Sequence, residues 1–190
     1  MPPTPDPVAE AFATTPRSDF LPQAVRERAS YDGPLPLGHG QTCSQPRTVE
    51  AMLRLLDVHP GHHVLDVGTG SGWTTALLAH LTGPGGSVVG REVVPDLVAF
   101  GSANLARTRR PWASISPADP EVLGDPGRAP YDRVLVSAEA RHLPQALVDQ
   151  LVPGGRMVAP VAGEMLLVER RPDREPGVER HGRYRFVPLV

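Results

Sequence analysis

The sequence predicts an α/β fold: a doubly wound, mostly parallel sheet of Rossmann-like type with an antiparallel hairpin at one edge. Three observations carry this. From residue 63 onward, short apolar, Val-rich runs alternate with segments of helical apolar period, the pattern of parallel strands covered on both faces. The first of these strands runs straight into a glycine-rich turn and then a helix. After Gly163 the alternation stops and two strand-like runs follow, which an antiparallel hairpin explains most simply. A length of 190 residues suits one domain with a substantial core.

The elements follow in order. Residues 1 to 7 read as a loose leader, and Val8–Ala13 as a short apolar helix. TPRSDFLP at residues 15–22 is irregular, and Gln23–Ser30 is a helical stretch. Residues 31–45, broken by glycine and proline, are predicted to be a loop. Pro46 suits a first helical position, where an N–H would have no partner anyway, and Thr48–Leu56 has helical spacing. Strands are predicted at His63–Val67, Ser87–Arg91, Ala113–Ser116, Arg133–Ser137 and Arg156–Val161. Helices are predicted at Trp73–Leu81, Pro95–Ala106 and Pro144–Gln150. Met165–Glu169 and Arg180–Val187 form the hairpin, joined by the polar turn 172–177. Right-handed crossovers place a ligand beyond the carboxyl ends of the strands, at the switch point of the sheet.

The most specific local pattern is VLDVGTGSGW at residues 64–73. Gly68, Gly70 and Gly72 let the backbone turn sharply and approach a ligand closely. The helix opening behind them offers free amides and the positive end of its dipole to an anionic group. The spacing G-x-G-x-G, with Asp66 before it, fits S-adenosyl-L-methionine: the amides take its carboxylate and Asp66 takes its ammonium, directly or through water. Thr69, Ser71 and Trp73 belong to the same turn. Glu92 ends the next strand, 24 residues after Gly68, and can accept hydrogen bonds from a ribose diol. NAD enzymes use the same device, but their G-x-G-x-x-G fingerprint fails here at Trp73.

Composition narrows the classes. A net charge of −2 gives no general attraction to nucleic acid or an anionic membrane. One cysteine excludes an internal disulfide and suits a reducing cytoplasm. No secretory leader and no run of membrane-spanning length is read. All 19 basic residues are arginines, so lysine Schiff-base chemistry is excluded on this chain.

A second run, PLGHGQTCSQP at residues 36–46, narrows the choice further. This run, the 15–22 segment, the glycine loop, APYDRVLV at 129–136, LPQAL at 143–147, LVPGGR at 151–156 and RFVPL at 185–189 occur in the order expected for one family. The chain resembles the protein-L-isoaspartate O-methyltransferases over about residues 11–190. The resemblance implies a Rossmann-like methyltransferase, with residues 1–45 as leader and active-site loop and 46–190 as the cofactor-binding core. It implies S-adenosylmethionine-dependent methylation of the carboxylate that isomerised aspartyl residues carry in the side-chain position. Ser44 matches the family's active-site serine, with Thr42 beside it; Thr42 and Cys43 line the cofactor side, and Asp119 helps hold the adenine. His39, Gln41, Ser137 and Glu139 are the candidates for the acceptor side. Protein or peptide is the expected partner, and a cytoplasmic monomer without bound metal the expected form.

Two departures matter. The family's Gly-Asp-Gly is Ala118-Asp119-Pro120 here, and Pro120 removes a backbone donor. Glu139, after the fourth strand, would repel an anionic acceptor if it pointed inward. These keep open a dedicated role, such as tailoring one peptide or a small molecule, beside general repair. An NAD oxidoreductase and a non-catalytic cofactor-binding module are the readings from other classes. Cys43 has no evident base beside it and reads as a small buried residue. His59, His62 and His63 read as a solvated turn rather than a metal site. Arg107, Arg109 and Arg110 read as a solvated helix end.

Overall fold

The computed structural model describes residues 6–189. Its centre is a sheet of parallel strands β3 (His63–Val67), β4 (Ser87–Glu92), β5 (Ala113–Pro117), β6 (Tyr131–Val136) and β7 (Leu151–Val161). It is extended by the antiparallel strands β8 (Glu164–Glu169) and β9 (Gly177–Arg183). The spatial order is β5-β4-β3-β6-β7-β8-β9, so the order reverses between β3 and β6. The sheet's registers continue past the strand ends: Gly68 N–H donates to the Arg91 carbonyl (2.8 Å), Ser137 N–H to that of Val67 (2.9 Å), and Ala118 N–H to that of Glu92 (2.8 Å). The carboxyl ends of β3, β4, β5 and β6 therefore lie side by side at the reversal, where open α/β sheets bind ligands.

Strand alternation divides the core in two. Val64, Val88, Leu135 and Val158 face one way; Leu65, Val89, Val134 and Met157 face the other. The first set packs with α1 (Pro7–Thr14), α2 (Pro46–Leu56), α3 (Trp73–Thr82) and α4 (Pro95–Arg107). The second face is covered by the one-turn helix α5 (Gln145–Val148) and by irregular chain around Leu123, Ala129 and Leu143. The sheet is covered on both sides, but helices dominate only one. α2 shows why its segment folds as expected: Val49, Met52, Leu53 and Leu56 are buried at i, i+3, i+4, i+7. Asp57 in the left-handed region closes it, with its N–H on the Leu53 carbonyl.

Several expectations are corrected. Residues 31–45 are not all loop: β1 (Leu35–Gly38) and β2 (Gln41–Cys43) pair antiparallel. Leu35 and Leu37 are buried with period two, and Gly38, His39 and Gly40 supply the positive φ values of the turn. Gln23–Arg28 is a 3-10 helix, and the helix expected at Pro144–Gln150 is a single turn. β7 starts at Leu151, five residues early, through glycines that oppose the edge of β6. β9 ends at Arg183, and the chain then leaves the sheet: Leu189 N–H donates to the Glu139 carbonyl and Glu139 N–H to the Val187 carbonyl. The expected leader lies outside the described residues except at its end, where Asp6 caps α1 through Oδ1. Arg107 and Arg110 are not simply solvated. Arg107 donates to the Asp19 carbonyl, and Arg110 to the Ala76 carbonyl and Thr15 Oγ1, tying the N-terminal segment to α3 and α4. Among the described residues no helix is long and apolar enough to cross a membrane, and no His, Cys, Asp and Glu group forms a metal cluster.

Candidate active site

Three adjoining spaces open at the strand ends. The largest, about 350 Å³, lies over the end of β4 and is lined by Gly68, Gly70, Glu92 and the 118–124 segment. A small one, about 30 Å³, sits between Cys43, Ser44 and the start of α3. The third, about 260 Å³, is a groove between Pro34, Ser44, Thr48 and the C-terminal segment Arg185–Val187. Thr42 and Ser137 line all three, so they mark the junction; Ser44 lies between the small space and the groove.

The glycine loop has the geometry its spacing predicts. Gly68, Gly70 and Gly72 all have positive φ, 78°, 52° and 82°. A Cβ on Gly72 would lie 2.9 Å from the Gly101 carbonyl oxygen. No side chain caps α3, and its first intrahelical bond is Ala76 N–H to the Gly72 carbonyl. The amides of the first turn are thus uncommitted, and Trp73 and Thr74 line the small space beside them. Glu92 is 5% exposed and lines the large cavity. Its Oε2 accepts from Gly70 N–H (2.8 Å) and its Oε1 from Val94 N–H (2.9 Å), which fixes the carboxylate while leaving each oxygen a further lone pair. Asp119 lines the same cavity, with Oδ1 turned back to Glu121 N–H (2.9 Å). Arg91 pairs with the buried Asp125 and donates to the Pro117 carbonyl, which holds the 118–124 segment over the cavity.

Some candidates sit elsewhere than direct contact requires. Asp66 is fully buried beneath the loop and lines none of the three spaces. Its Oδ2 accepts from Thr74 (2.8 Å) and Thr75 (2.7 Å) hydroxyls, and Oδ1 is without a partner. Burial pushes its carboxyl up to about 6. Trp73 lines the small space, but its indole N–H donates to the Thr15 carbonyl (3.0 Å) and its ring packs on Phe12, so it anchors the N-terminal helix. His39 turns outward to Asp96 (3.0 Å) at the exposed start of α4, away from the groove, because it occupies the hairpin's turn. Glu139 does not line the groove: its Oε2 lies 3.4 Å from the N–H of Phe186, a groove residue, so it braces the C-terminal segment from behind. Gln41 and Ser137 do face the cavity. Burial pushes the Cys43 thiol up; its hydrogen-bonding neighbours are Arg17 and Ser71, neither of which is a base. His59 and His62 form a turn, in which His62 Nδ1 accepts from His59 N–H; His63 does not belong to it, because it opens β3 and stacks on Tyr131.

Three participants escaped the sequence reading. Arg17 is buried behind Cys43 and Ser44, where an arginine in an irregular segment gives no sign of burial. Gly101 is packed against Gly70; a glycine inside a helical pattern is the one signal that marks such a contact. Arg185 lines the groove and, among the described residues, is the only charged one doing so.

Comparison with known proteins agrees with this geometry. The model of the family "Protein-L-isoaspartate(D-aspartate) O-methyltransferase (PCMT)" matches residues 4–190. A protein-L-isoaspartate O-methyltransferase of Methanopyrus kandleri is 45% identical over 96% of this chain and 83% of its own. A Plasmodium falciparum protein solved in complex with S-adenosyl-L-homocysteine superposes with a TM-score of 0.82 at 26% identity, over 99% of this chain and 92% of that one. Another solved protein-L-isoaspartate O-methyltransferase has the same fold, with a TM-score of 0.88 at 24% identity; this chain covers 62% of it and 98% of its own length is matched.

Proposed function

Because the chain belongs to the protein-L-isoaspartate O-methyltransferase family, we propose that it methylates the free carboxylate of isoaspartyl residues in proteins and peptides, using S-adenosylmethionine. The observation that carries the reading is the junction: the cavity over Glu92, the small space at the start of α3 and the groove beside Ser44 meet at Thr42 and Ser137. The residues fit the cofactor. Glu92 suits a ribose diol, the uncommitted amides of α3 suit a carboxylate, and Val67, Val93, Val122 and Leu123 give apolar walls for a flat base. Asp66 supports the ammonium end from beneath, through its unpartnered Oδ1 and an intervening water. When bound, the cofactor supplies a methyl group on a sulfonium.

This chain's part in the reaction is alignment and exclusion of water. The acceptor carboxylate is ionised at neutral pH, since its ordinary pKa is about 4, so no general base is required. The Ser44 hydroxyl, between the small space and the groove, orients the acceptor by hydrogen bonding; Thr42 and Ser137 close the junction around it. Closing water out matters because a hydrated carboxylate is a poor nucleophile and a charge-neutralising transfer gains in a dry site. Arg185, which lines the groove, matches an anionic acceptor strand. We read the enzyme as a cytoplasmic monomer acting on damaged protein. The test is transfer of labelled methyl to an isoaspartyl peptide and to its aspartyl twin. Base-labile label on the isoaspartyl peptide alone is expected; label on neither, with S-adenosylhomocysteine still bound, overturns the reading.

A further inference from the structure

Arg17 is 5% exposed, and none of its hydrogen bonds ends on a carboxylate, though Asp32 is near enough to feel its charge. All of its donors end on carbonyl oxygens or sulfur. Nη1 donates to the Tyr31 carbonyl (2.9 Å) and Nε approaches Cys43 Sγ (3.5 Å). Nη2 reaches the carbonyls of Gly33 (2.9 Å), Cys43 (2.8 Å) and Ser44 (2.8 Å). Its guanidinium lies 5.6 Å from the Trp73 ring centroid, so the same group meets the first residue of α3. The two shortest bonds have a specific consequence. The Cys43 carbonyl belongs to the peptide plane before the Ser44 Cα, and the Ser44 carbonyl to the plane after it. One nitrogen thus holds both planes, which fixes φ and ψ at Ser44 and with them the direction of its Cβ. The Gly33 and Tyr31 bonds tie the opposite base of the β1–β2 hairpin to the same atom group.

We propose that Arg17 is a positioning residue for methyl transfer: it fixes the backbone of Ser44 against the glycine loop, so that the Ser44 side chain faces the junction of cavity and groove. The proposal rests on the function given above but makes its own demand: the large cavity is built mostly from β3, β4 and residues 118–124, to which Arg17 makes no hydrogen bond, and only the small space shares Cys43, Ser44 and Trp73 with it. Losing Arg17 should therefore spoil turnover far more than it weakens cofactor binding. A lysine delivers its hydrogens from a single point and cannot reproduce the fork, so it should restore only part of the loss.

The experiment compares wild type with Arg17→Met and Arg17→Lys on an isoaspartyl peptide. It reads kcat at saturation, S-adenosylhomocysteine affinity by calorimetry, and amide hydrogen exchange. A misplacement of about 1 Å costs roughly 100-fold in rate, so kcat of Arg17→Met should fall on that scale, with Arg17→Lys between it and wild type. Exchange should rise at residues 40–45 while β3, β4 and β6 stay protected. Wild-type kcat in a folded Arg17→Met variant overturns the proposal, as does exchange that rises equally through the whole sheet. Should neither variant fold, Asp32→Ala tests the same loop from its exposed side, where the Asp32 carboxylate accepts from Arg47 N–H and pairs with the Arg47 guanidinium. That variant should lower kcat and keep S-adenosylhomocysteine affinity; unchanged kcat there counts against the proposal. If wild type itself methylates no isoaspartyl peptide, the function fails, while the exchange pattern still decides whether Arg17 holds the loop.

Discussion

Ser44 and Asp66 stand on opposite sides of the glycine loop and make opposite kinds of contribution. Ser44 borders the space where the acceptor enters, so its interaction should strengthen in the transition state. Ser44→Ala should lower kcat far more than it weakens S-adenosylhomocysteine binding; a loss confined to binding, with kcat at saturation intact, would move Ser44 out of the transfer step. Asp66 acts from beneath. Its carboxyl is raised from 3.8 to about 6, chiefly by burial, against the lowering effect of the Thr74 and Thr75 hydroxyls and with a further push from Glu92. The folded state therefore keeps a proton that the unfolded state releases between about pH 4 and 6. Stability falls as pH rises through that window, and above it the cost of the buried charge is about 3 kcal/mol. Urea unfolding across pH 4 to 7 should show a shallower decline in Asp66→Asn than in wild type. A bound ammonium favours the ionised carboxylate, so S-adenosylhomocysteine affinity in wild type should increase through pH 6, and in Asp66→Asn it should not. Identical pH profiles in the two proteins would remove Asp66 from both roles.

Helix α4 carries the clearest conflict between local preference and tertiary need. Gly101 sits in its interior, where alanine would ordinarily gain about 1 kcal/mol. A Cβ there would lie 2.8 Å from the Gly70 carbonyl oxygen and 3.2 Å from Ile115 Cδ1. The close helix contact that a third loop glycine gives dinucleotide folds is supplied here by a glycine on the neighbouring helix. Gly101→Ala should destabilise by roughly 1–3 kcal/mol, the scale of overpacking, and should weaken cofactor binding by displacing the Gly70 peptide. Denaturant unfolding that shows a gain in stability would mean the loop yields without cost. The elements that position this loop were legible in the sequence because β3, β4 and β6 are buried on both faces, and because α3 and α4 are bounded by Gly72 and Gly83 and by Pro95. The β1–β2 hairpin was not, because Pro36 and Gly38 interrupt a run with only two apolar alternations. The one-turn α5 and the early start of β7 depend on contacts with distant chain that no local period reports. At the site, residue types were readable and directions were not. His39 and Glu139 carry the right chemistry for an acceptor groove, yet a turn and the returning C-terminal segment aim them elsewhere. Arg17 shows the reverse: its burial comes from carbonyls 12 to 27 residues away.

On the scale of the molecule, the large cavity is where distant parts of the chain meet. The hairpin contributes Gln41 and Thr42, the sheet Gly68 and Glu92, the β5–β6 connection Val122 and Leu123, and the C-terminal segment Val187 and Leu189. None of these groups is assembled in an unfolded chain, so a ligand held there binds the folded state alone. At about 100 times its dissociation constant such a ligand adds roughly 2.7 kcal/mol. For a chain of this size each kcal/mol raises the melting midpoint by about 2–4 °C, so S-adenosylhomocysteine should raise it by roughly 5–10 °C. NAD should not. Its fingerprint fails at Trp73, whose ring is 3% exposed and packed on Phe12, leaving no close glycine contact at that position. Thermal unfolding with each ligand in turn distinguishes the two cofactors without depending on any acceptor peptide. A shift with NAD and none with S-adenosylhomocysteine would mean that Glu92 and the glycine loop serve a dinucleotide after all, and the junction at Thr42 and Ser137 would then need a different reaction.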